Sequence, residues 1–267
     1  MKNKTVFEYN DKKYYYSDIV DALKKVGIKP GDTIFVHSDL KSFGKITTNI
    51  TRSEYIEFFI DALKEVVGKT GNIIVPTFSY TFCKKEVYDP LITPSTVGIL
   101  TEHFRKMKDV KRSNDAIFSA AAYGPDEKFL TDVGTNCFGE KSVFEKLYDK
   151  KGKLIFLGDT FDITFMHFAE QRYGVPYRFI KRFPGQIKIA GELKDYVFDY
   201  NVKPLDKNIV YDLEKIAKYF DSCGVLHTVP LGFSKIRMVT AVDAFNKITE
   251  GFEENTFLLL KEKPDLS

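Results

Sequence analysis

His167 and Glu170 are three residues apart in a segment, 158–170, that follows an apolar stretch. Side chains at this spacing share one face of a helix, and Asp162 is suitably placed to cap its start. A carboxylate beside an imidazole orients the ring and raises its basicity, so the pair suits general acid–base chemistry. An ion pair on a helix surface is the alternative interpretation. The spacing is also half of a metal motif, but no nearby second ligand completes it, so no metal is expected.

A second candidate site follows the first apolar strand of the sequence. His37 ends this strand and precedes a loop rich in Ser and Gly that runs to Gly44. In open α/β sheets, ligands collect at the carboxyl ends of strands, where loop N–H groups can bind an anion. The alternative is a strand-end histidine whose ring is satisfied by the backbone.

Two groups of basic residues form the third feature. Arg112-Ser113 ends a cluster of Lys and Arg at 106–112, just before a predicted strand. This cluster could hold phosphates or be a solvated charged loop. Residues 177–183 interleave three positive charges with aromatic rings, which suits phosphate and a stacked base and disfavours a polycation. For this segment, an exposed edge strand protected by Lys and Arg against aggregation is the alternative.

The elements that must position these residues alternate between helix and strand. Apolar residues at helical spacing predict helices over about 17–26, 53–67, 95–107 and 142–148. Apolar runs predict strands at 33–37, 72–76, 117–123 and 153–157. Alternation of helices with strands that are apolar on both faces indicates an α/β fold with a largely parallel central sheet flanked by helices.

The pattern changes in the C-terminal third of the chain. From Tyr177 to Tyr200, turn residues at Pro184-Gly185 and Gly191 predict an antiparallel ribbon. A helix near 210–220, a strand near 226–239 and a final helix follow. No repeat or flexible linker interrupts the chain, so residues 1–267 are expected to form one domain.

Composition narrows the class of protein. The chain has 267 residues, of which 43% are hydrophobic and 29% charged, as in an ordinary folded protein. A net charge of only +3 does not favour nucleic acid as the partner. Three cysteines without a C-x-x-C pattern exclude a disulfide framework and indicate a reducing compartment. The N-terminus, Met1 to Thr5, lacks the apolar segment of a signal peptide. No apolar run approaches the roughly 20 residues of a membrane span, so a cytoplasmic protein without a membrane partner is expected.

Several motifs, in this order, resemble the aminoglycoside 3-N-acetyltransferase family over about residues 15–180. Residues 31–44 are similar to the family's opening G-D-x-φ-φ-V-H-S-S-L, where φ is apolar. Residues 75–79 match V-P-T-F-[ST], and residues 88–105 follow F-D-P…T-P-S-x-x-G-x-L-x-E-x-F-R. The remaining matches are Arg112-Ser113, Phe138-Gly139 with Ser142, and Leu157-Gly158 leading to His167 and Glu170.

The resemblance implies transfer of an acetyl group from acetyl-CoA, as co-substrate, to an amino group of a sugar. It implies that His167 is the catalytic histidine, with Glu170 as its carboxylate partner, and we group His37 with them. The amine would attack the thioester directly while His167 removes its proton and loop N–H groups stabilise the oxyanion. The candidate coenzyme A-binding residues are His37, Ser38, Asp39, Leu40, Lys41, Ser42, Phe43, Gly44, Arg112 and Ser113. The candidate substrate-binding residues are Thr77, Ser79, Tyr80, Asp89, Tyr177 and Arg178.

The sequence favours a nucleotide-linked amino-deoxy sugar of bacterial surface-polysaccharide assembly as the acceptor, because residues 177–183 are basic and aromatic. Drug-modifying members commonly read R-S-x-H-P, whereas Asn114-Asp115-Ala116 follow Ser113 here. An aminoglycoside acceptor, with antibiotic resistance as the outcome, is the first alternative, and a non-catalytic coenzyme A-binding protein is the second. Metal-dependent hydrolysis is a weaker option, because the four histidines lack ligand spacing. The partner is thus a small molecule, and a homo-oligomer remains open.

Overall fold

A computed structural model describes residues 4–266 of the chain. Met1 to Asn3, which belong to the segment where no signal peptide is expected, lie outside the described residues, as does Ser267. Among residues 4–266, none of the helices combines the length and the apolar composition that a membrane crossing requires.

Twelve strands and eight helices are present in the described residues. The strands are β1 (Thr5–Tyr9), β2 (Lys12–Tyr15), β3 (Thr33–Ser38), β4 (Lys45–Ile46), β5 (Asn72–Pro76), β6 (Lys111–Arg112), β7 (Ala120–Tyr123), β8 (Lys153–Leu157), β9 (Phe179–Ile189), β10 (Glu192–Val202), β11 (His227–Leu231) and β12 (Ser234–Thr240). The helices are α1 (Tyr16–Lys25), α2 (Arg52–Val67), α3 (Ile99–Phe104), α4 (Glu127–Thr131), α5 (Val143–Asp149), α6 (Met166–Tyr173), α7 (Leu213–Ser222) and α8 (Ala241–Glu254).

The central sheet has seven strands in the order β11-β12-β8-β3-β5-β7-β6. Its middle strands β8, β3 and β5 are parallel, and antiparallel neighbours extend it on both sides. Apolar side chains of these strands enter one hydrophobic cluster on each face, with α1 to α3 on one side and α4 to α8 on the other. The predicted α/β class, with helices flanking a central sheet, is confirmed.

The antiparallel ribbon of the C-terminal third is also confirmed. β9 and β10 are each 11 residues long and pair along their full length, from Phe179 opposite Val202 to Ile189 opposite Glu192. Ala190 and Gly191 form the tight turn, both with positive φ. The ribbon's residue Ile187 packs into the core, so the ribbon is anchored along one edge.

Four local predictions are wrong. Pro184 and Gly185, expected as turn residues, lie within β9. The single strand expected near 226–239 is a hairpin, β11 and β12, because Gly232 has φ of 60° and reverses the chain. The helix expected from Ser95 begins only at Ile99, because Gly98, directly before it, has a φ of 116°, which is not helical. Asp162 does not cap α6, which starts at Met166; its Oδ2 accepts from Thr160 Oγ1 at 2.9 Å.

The loop after β3 is held between two glycines. A Cβ at Gly158, after β8, would lie 2.2 Å from the carbonyl oxygen of Asp39. A Cβ at Gly232 would lie 2.1 Å from the carbonyl oxygen of Phe43. Both glycines have positive φ, at 93° and 60°. The loop therefore keeps its position beside β8 and β12 because these two residues have no side chain.

We expect Gly158→Ala to lower the free energy of unfolding by about 1–3 kcal/mol more than Gly191→Ala, because it forces a clash with the loop backbone. Gly191 is a matched control: its φ of 89° is close to the 93° of Gly158, but a Cβ there would contact nothing within 4 Å. Both variants thus share the cost of left-handed backbone, and only one adds overlap. Urea unfolding midpoints measure the difference, and equal losses would contradict the loop geometry.

Candidate active site

The carboxylate of Glu170 is completely buried in α6 and accepts four hydrogen bonds. Its Oε1 accepts from the hydroxyls of Tyr177 and Tyr211, both at 2.8 Å. Its Oε2 lies 2.6 Å from His167 Nδ1 and 3.1 Å from Arg178 Nη1. A buried carboxylate is tolerated only when its lone pairs are satisfied in this way. The predicted spacing of His167 and Glu170 thus produces a buried contact and not a surface ion pair.

The 2.6 Å contact with Glu170 determines which nitrogen of His167 carries the proton. A carboxylate oxygen at this distance requires a donor, so Nδ1 is protonated and donates to Oε2. The other nitrogen, Nε2, is then left with its lone pair, and it forms no hydrogen bond within residues 4–266. His167 therefore presents a basic nitrogen on the side opposite Glu170.

Burial and neighbouring charges keep the His167 imidazole neutral and Glu170 ionised. Burial first, and then the guanidinium of Arg178, lowers the pKa of His167, although Glu170 opposes this shift. Burial raises the pKa of Glu170, but His167, Arg178 and Tyr211 outweigh it and hold that pKa below its usual value. His167 also lies in the first turn of α6, where the helix dipole disfavours added positive charge. A neutral imidazole at neutral pH is the form that can accept a proton.

His37 lines a second part of the site, which we call the central cavity. This cavity encloses about 270 Å³ at the carboxyl end of β3, and Tyr80, Asp162 and Thr164 also line it. The His37 ring is stacked on Phe156 at 5.5 Å, and its buried Nε2 has no hydrogen-bond partner in the described residues. Burial lowers the pKa of His37 to about 4, against the opposing charge of Asp162. His37 is therefore a neutral group at the cavity wall, with an unused polar atom.

His167 does not line the central cavity itself but is close in sequence to a residue that does. Thr164 lines the cavity, and its carbonyl oxygen accepts from the His167 backbone N–H at 3.0 Å. Tyr80, one of the predicted substrate-binding residues, lies on the opposite wall and has a positive φ of 56°. Strained backbone of this kind persists only where the surrounding structure holds it, often at functional sites.

On one side, the central cavity opens into an acidic cleft of about 630 Å³, which shares Ser38, Thr160 and Asp162 with it. Four carboxylates and two cations line the acidic cleft, so negative charge predominates. They are Asp39, Asp159, Asp162, Glu214, Lys235 and Arg237.

A basic groove lies along the same loop segment: Val97 lines the central cavity, and its neighbours Thr96 and Gly98 line the groove. We use this name for two adjoining depressions of about 290 and 710 Å³ that share Ile99. Lys41 and Arg52 line the smaller one together with apolar side chains, and neither forms an ion pair within residues 4–266. His103 and Lys106 line the larger one, where Glu102 is bound to Arg105 and Lys106.

The structure brings together only part of the predicted coenzyme A-binding set. Leu40, Lys41 and Gly44 line the basic groove, while Ser38 and Asp39 line the acidic cleft. Two loop N–H groups are already used: Asp39 donates to the Leu157 carbonyl at 2.7 Å, and Ser42 donates to that of Asp39 at 3.3 Å. Phe43 is buried in the core.

Arg112 and Ser113, which the sequence predicts to hold phosphates, form hydrogen bonds within the protein. The Arg112 guanidinium donates to the carbonyl oxygens of Thr77, Pro90 and Thr93 and to Thr77 Oγ1 at 3.0 Å. The buried Ser113 hydroxyl accepts from the Ala120 N–H. Both residues tie loops to β6 and β7, at the edge of the sheet.

Five of the predicted substrate-binding residues also form hydrogen bonds within the protein. The buried hydroxyls of Thr77 and Ser79 donate to Ser119 Oγ and the Ala116 carbonyl. Asp89 Oδ1 accepts from the Leu91 N–H at 2.9 Å. The remaining two, Tyr177 and Arg178, come just before the ribbon, and their polar groups are directed at Glu170 and not at a ligand.

Four residues of the site were missed at the sequence level: Tyr211, Asn201, Asp162 as a cavity residue, and Arg52. Tyr211 is 41 residues from Glu170, and Asn201 contributes a backbone oxygen, so no local pattern marks either one. Asp162 was assigned to a helix cap. Arg52 is the first residue of α2, within its Thr51–Glu54 capping box, where an exposed basic residue has no distinguishing context.

The site suits acetyl-CoA by its shape and charge. The unpaired cations Lys41 and Arg52 match phosphate groups, and the apolar walls of the basic groove match a long, uncharged arm that must reach the central cavity. Residues 4–266 contain no cluster of three or more His, Cys, Asp and Glu side chains arranged to hold a metal ion.

Comparisons with known proteins identify the family of this chain. The family model described as aminoglycoside 3-N-acetyltransferase matches residues 35–253. A prophage-derived aminoglycoside N(3')-acetyltransferase-like protein of Bacillus subtilis, YokD, is 30% identical over 199 residues, which is 65% of this chain and 70% of the relative.

Solved structures show the same fold. AAC-IIIb in a binary complex with CoASH superposes with a TM-score of 0.77 at 20% identity, over 93% of this chain and 98% of that one. AAC-VIa bound to sisomicin also has a TM-score of 0.77, at 21% identity, over 90% and 98% of the two chains. With the family model covering most of its length, the chain belongs to the aminoglycoside 3-N-acetyltransferase family and is an acetyl-CoA-dependent N-acetyltransferase.

Proposed function

We propose that this enzyme acetylates an amino group of an aminoglycoside-type acceptor, with His167 as the general base. The observation that carries the proposal is the hydrogen bond of His167 Nδ1 to the buried Glu170, which leaves Nε2 free to accept a proton. His167 and Glu170 are thus proposed as the catalytic pair. The acceptor nitrogen would approach Nε2 from the central cavity.

In the proposed mechanism, acetyl-CoA supplies a thioester that is activated towards attack by an amine. His167 Nε2 removes a proton from the acceptor nitrogen as the new C–N bond forms, and returns it to the sulfur as the C–S bond breaks. Glu170 fixes the imidazole orientation and stabilises the transient imidazolium. His37 is proposed to contact the acyl end of the substrate as a neutral hydrogen-bonding group, since its low pKa of about 4 makes it a poor base.

Lys41 and Arg52 are proposed to bind the phosphates of coenzyme A, and the acidic cleft is proposed to bind the acceptor. An aminoglycoside carries several ammonium groups, and the four carboxylates of this cleft favour such a polycation. The matching structures of AAC-VIa with sisomicin and of AAC-IIIb with CoASH support these two ligand classes.

The structure weakens the argument from residues 177–183 for a nucleotide-linked amino sugar as the acceptor. That hypothesis relied on three positive charges at 177–183, but the Arg178 guanidinium is only 3% exposed and bound to Glu170. Of the remaining two, Arg182 lies 3.7 Å from Asp199. The nucleotide-linked sugar is kept as the competing acceptor in the test below.

Replacing His167 with Ala should reduce turnover by at least about 100-fold, a typical general-base contribution. His227→Ala is the control, because His227 is an exposed histidine of β11. Thiol release from acetyl-CoA, with and without amine, is the measurement. If His167→Ala keeps near wild-type turnover, His167 is not the base; if the wild-type protein releases no thiol with any amine, it is a non-catalytic binder.

For the acceptor, we expect thiol release from acetyl-CoA with aminoglycosides and none with nucleotide-linked amino sugars. Asp162→Asn and Glu214→Gln should each raise KM for the aminoglycoside by about 10-fold, because each removes one carboxylate from the acidic cleft. Asp195→Asn, in the exposed turn region of the ribbon, is the control. Turnover with the nucleotide-linked sugar alone would overturn the proposed acceptor.

For acetyl-CoA, Lys41→Met and Arg52→Met should raise KM by about 10-fold each while KM for the acceptor stays constant. The effect should weaken at high salt, because exposed charge pairs are screened. Lys45→Met in the neighbouring strand β4 provides a control of equal charge change. Initial rates at varied acetyl-CoA separate the two constants, and unchanged KM values in both variants would place the phosphates elsewhere.

A further inference from the structure

Arg178 is the most constrained cation near the catalytic pair. Its Nε donates to the Asn201 carbonyl oxygen at 2.8 Å, and Nη2 donates to the same oxygen. Its Nη1 lies 2.6 Å from the Tyr211 hydroxyl, 3.1 Å from Glu170 Oε2 and 2.7 Å from His167 Nδ1. The guanidinium is therefore fixed by the end of β10 directly against the His167–Glu170 contact.

We propose that Arg178 is a positioning residue that keeps His167 neutral, with its proton on Nδ1, so that Nε2 is available as the base. The proposal rests on the role proposed above for His167. It differs from that role because Arg178 touches no reacting atom: it acts only through Glu170 and His167.

The contacts at His167 Nδ1 favour the assigned tautomer. Nη1 of Arg178 has two protons, and Tyr211 and Glu170 offer acceptors for both. The 2.7 Å approach of Nη1 to Nδ1 is then an unfavourable contact between two donors, with the Nδ1 proton directed at Glu170. The opposite tautomer would relieve this contact, but it would place the Nδ1 lone pair 2.6 Å from an ionised carboxylate oxygen, which is the more repulsive arrangement.

Charge balance explains why the imidazole stays neutral. Glu170 and Arg178 form a buried pair whose charges cancel, and a protonated His167 would add an uncompensated charge to it. Without Arg178, the same buried carboxylate would instead attract a proton onto His167. The presence of a cation beside Glu170 thus decides whether the resting enzyme holds a base or an acid.

Other charged and titratable groups facing His167 do not substitute for Arg178. Lys203, beyond the end of β10, acts in the same direction on the pKa of His167 but is the weakest of the five contributors. Its ammonium donates to the Ile209 carbonyl at 2.8 Å. Tyr211, before α7, remains protonated because burial and Glu170 raise the pKa of its hydroxyl.

The test is an NMR titration of the four histidine rings in the free enzyme, with the His167 signal assigned from His167→Gln. In Arg178→Gln, the pKa of His167 should rise by about 1–3 units, and the acid limb of kcat/KM should move up with it. In Glu170→Gln it should fall, because Arg178 then acts unopposed. Arg182→Gln is the control: its side chain is 75% exposed on the same ribbon, and it should change neither quantity.

Arg178→Lys separates charge from shape. It retains the positive charge, so the pKa of His167 should stay close to the wild-type value, while turnover falls because the planar fork is lost. If Arg178→Gln does not fold, the titrations of Glu170→Gln and Arg178→Lys still decide the question. An unchanged pKa of His167 in Glu170→Gln, or a rise in Arg178→Lys as large as in Arg178→Gln, would overturn the proposal. Because the titration needs no substrate, its outcome is independent of whether His167 proves to be the base.

Discussion

The buried carboxylate of Glu170 is the constraint on which the site depends. Removing a carboxylate from water costs several kcal/mol unless charge and hydrogen bonds compensate it. Here the compensation comes from three separate parts of the chain: α6 itself, the segment that leads into β9, and the segment that leads into α7. The fold must bring these parts together before the carboxylate can be buried, so assembly of the C-terminal third and formation of the catalytic pair are one event.

The same contacts fasten the C-terminal segments to the sheet. Tyr177, which donates to Glu170, also packs its ring against Phe257, 5.8 Å away. Tyr211 bridges to Leu260 through the backbone, and Arg178 binds the carbonyl of Asn201 at the end of β10. Loss of the Glu170 charge would leave several buried donors without an acceptor, so Glu170 contributes to stability as well as to orientation of His167. Comparisons of activity between variants of this network therefore require unfolding data beside the rates.

The sequence predicted what local spacing determines. His167 and Glu170 are three residues apart on one helix, and the central strands are long apolar runs, so both were found. The contact of Arg178 with Glu170 was not predicted, because Arg178 stands beside exposed Lys181 and Arg182 in a segment of uniform character, although it precedes β9 and its side chain is directed inward. The contacts of Arg112 were not predicted either, because charge alone does not reveal that a guanidinium donates to backbone carbonyls. The partner of such a side chain is set by tertiary contacts between residues dozens of positions apart. A single sequence does not reveal these contacts.

In the proposed reaction, a polyanion and a polycation must meet with their reacting groups aligned. Two such substrates attract each other strongly, and unguided attraction would pair phosphate with ammonium instead of thioester with amine. The basic groove and the acidic cleft are lined by different residues, so each substrate would be held by charges of its own. The base between the two substrates must instead be uncharged in the resting enzyme, because a charged base would bind one of them. A neutral imidazole, balanced by a buried pair whose charges cancel, meets this requirement and gains charge only while the proton is in transit.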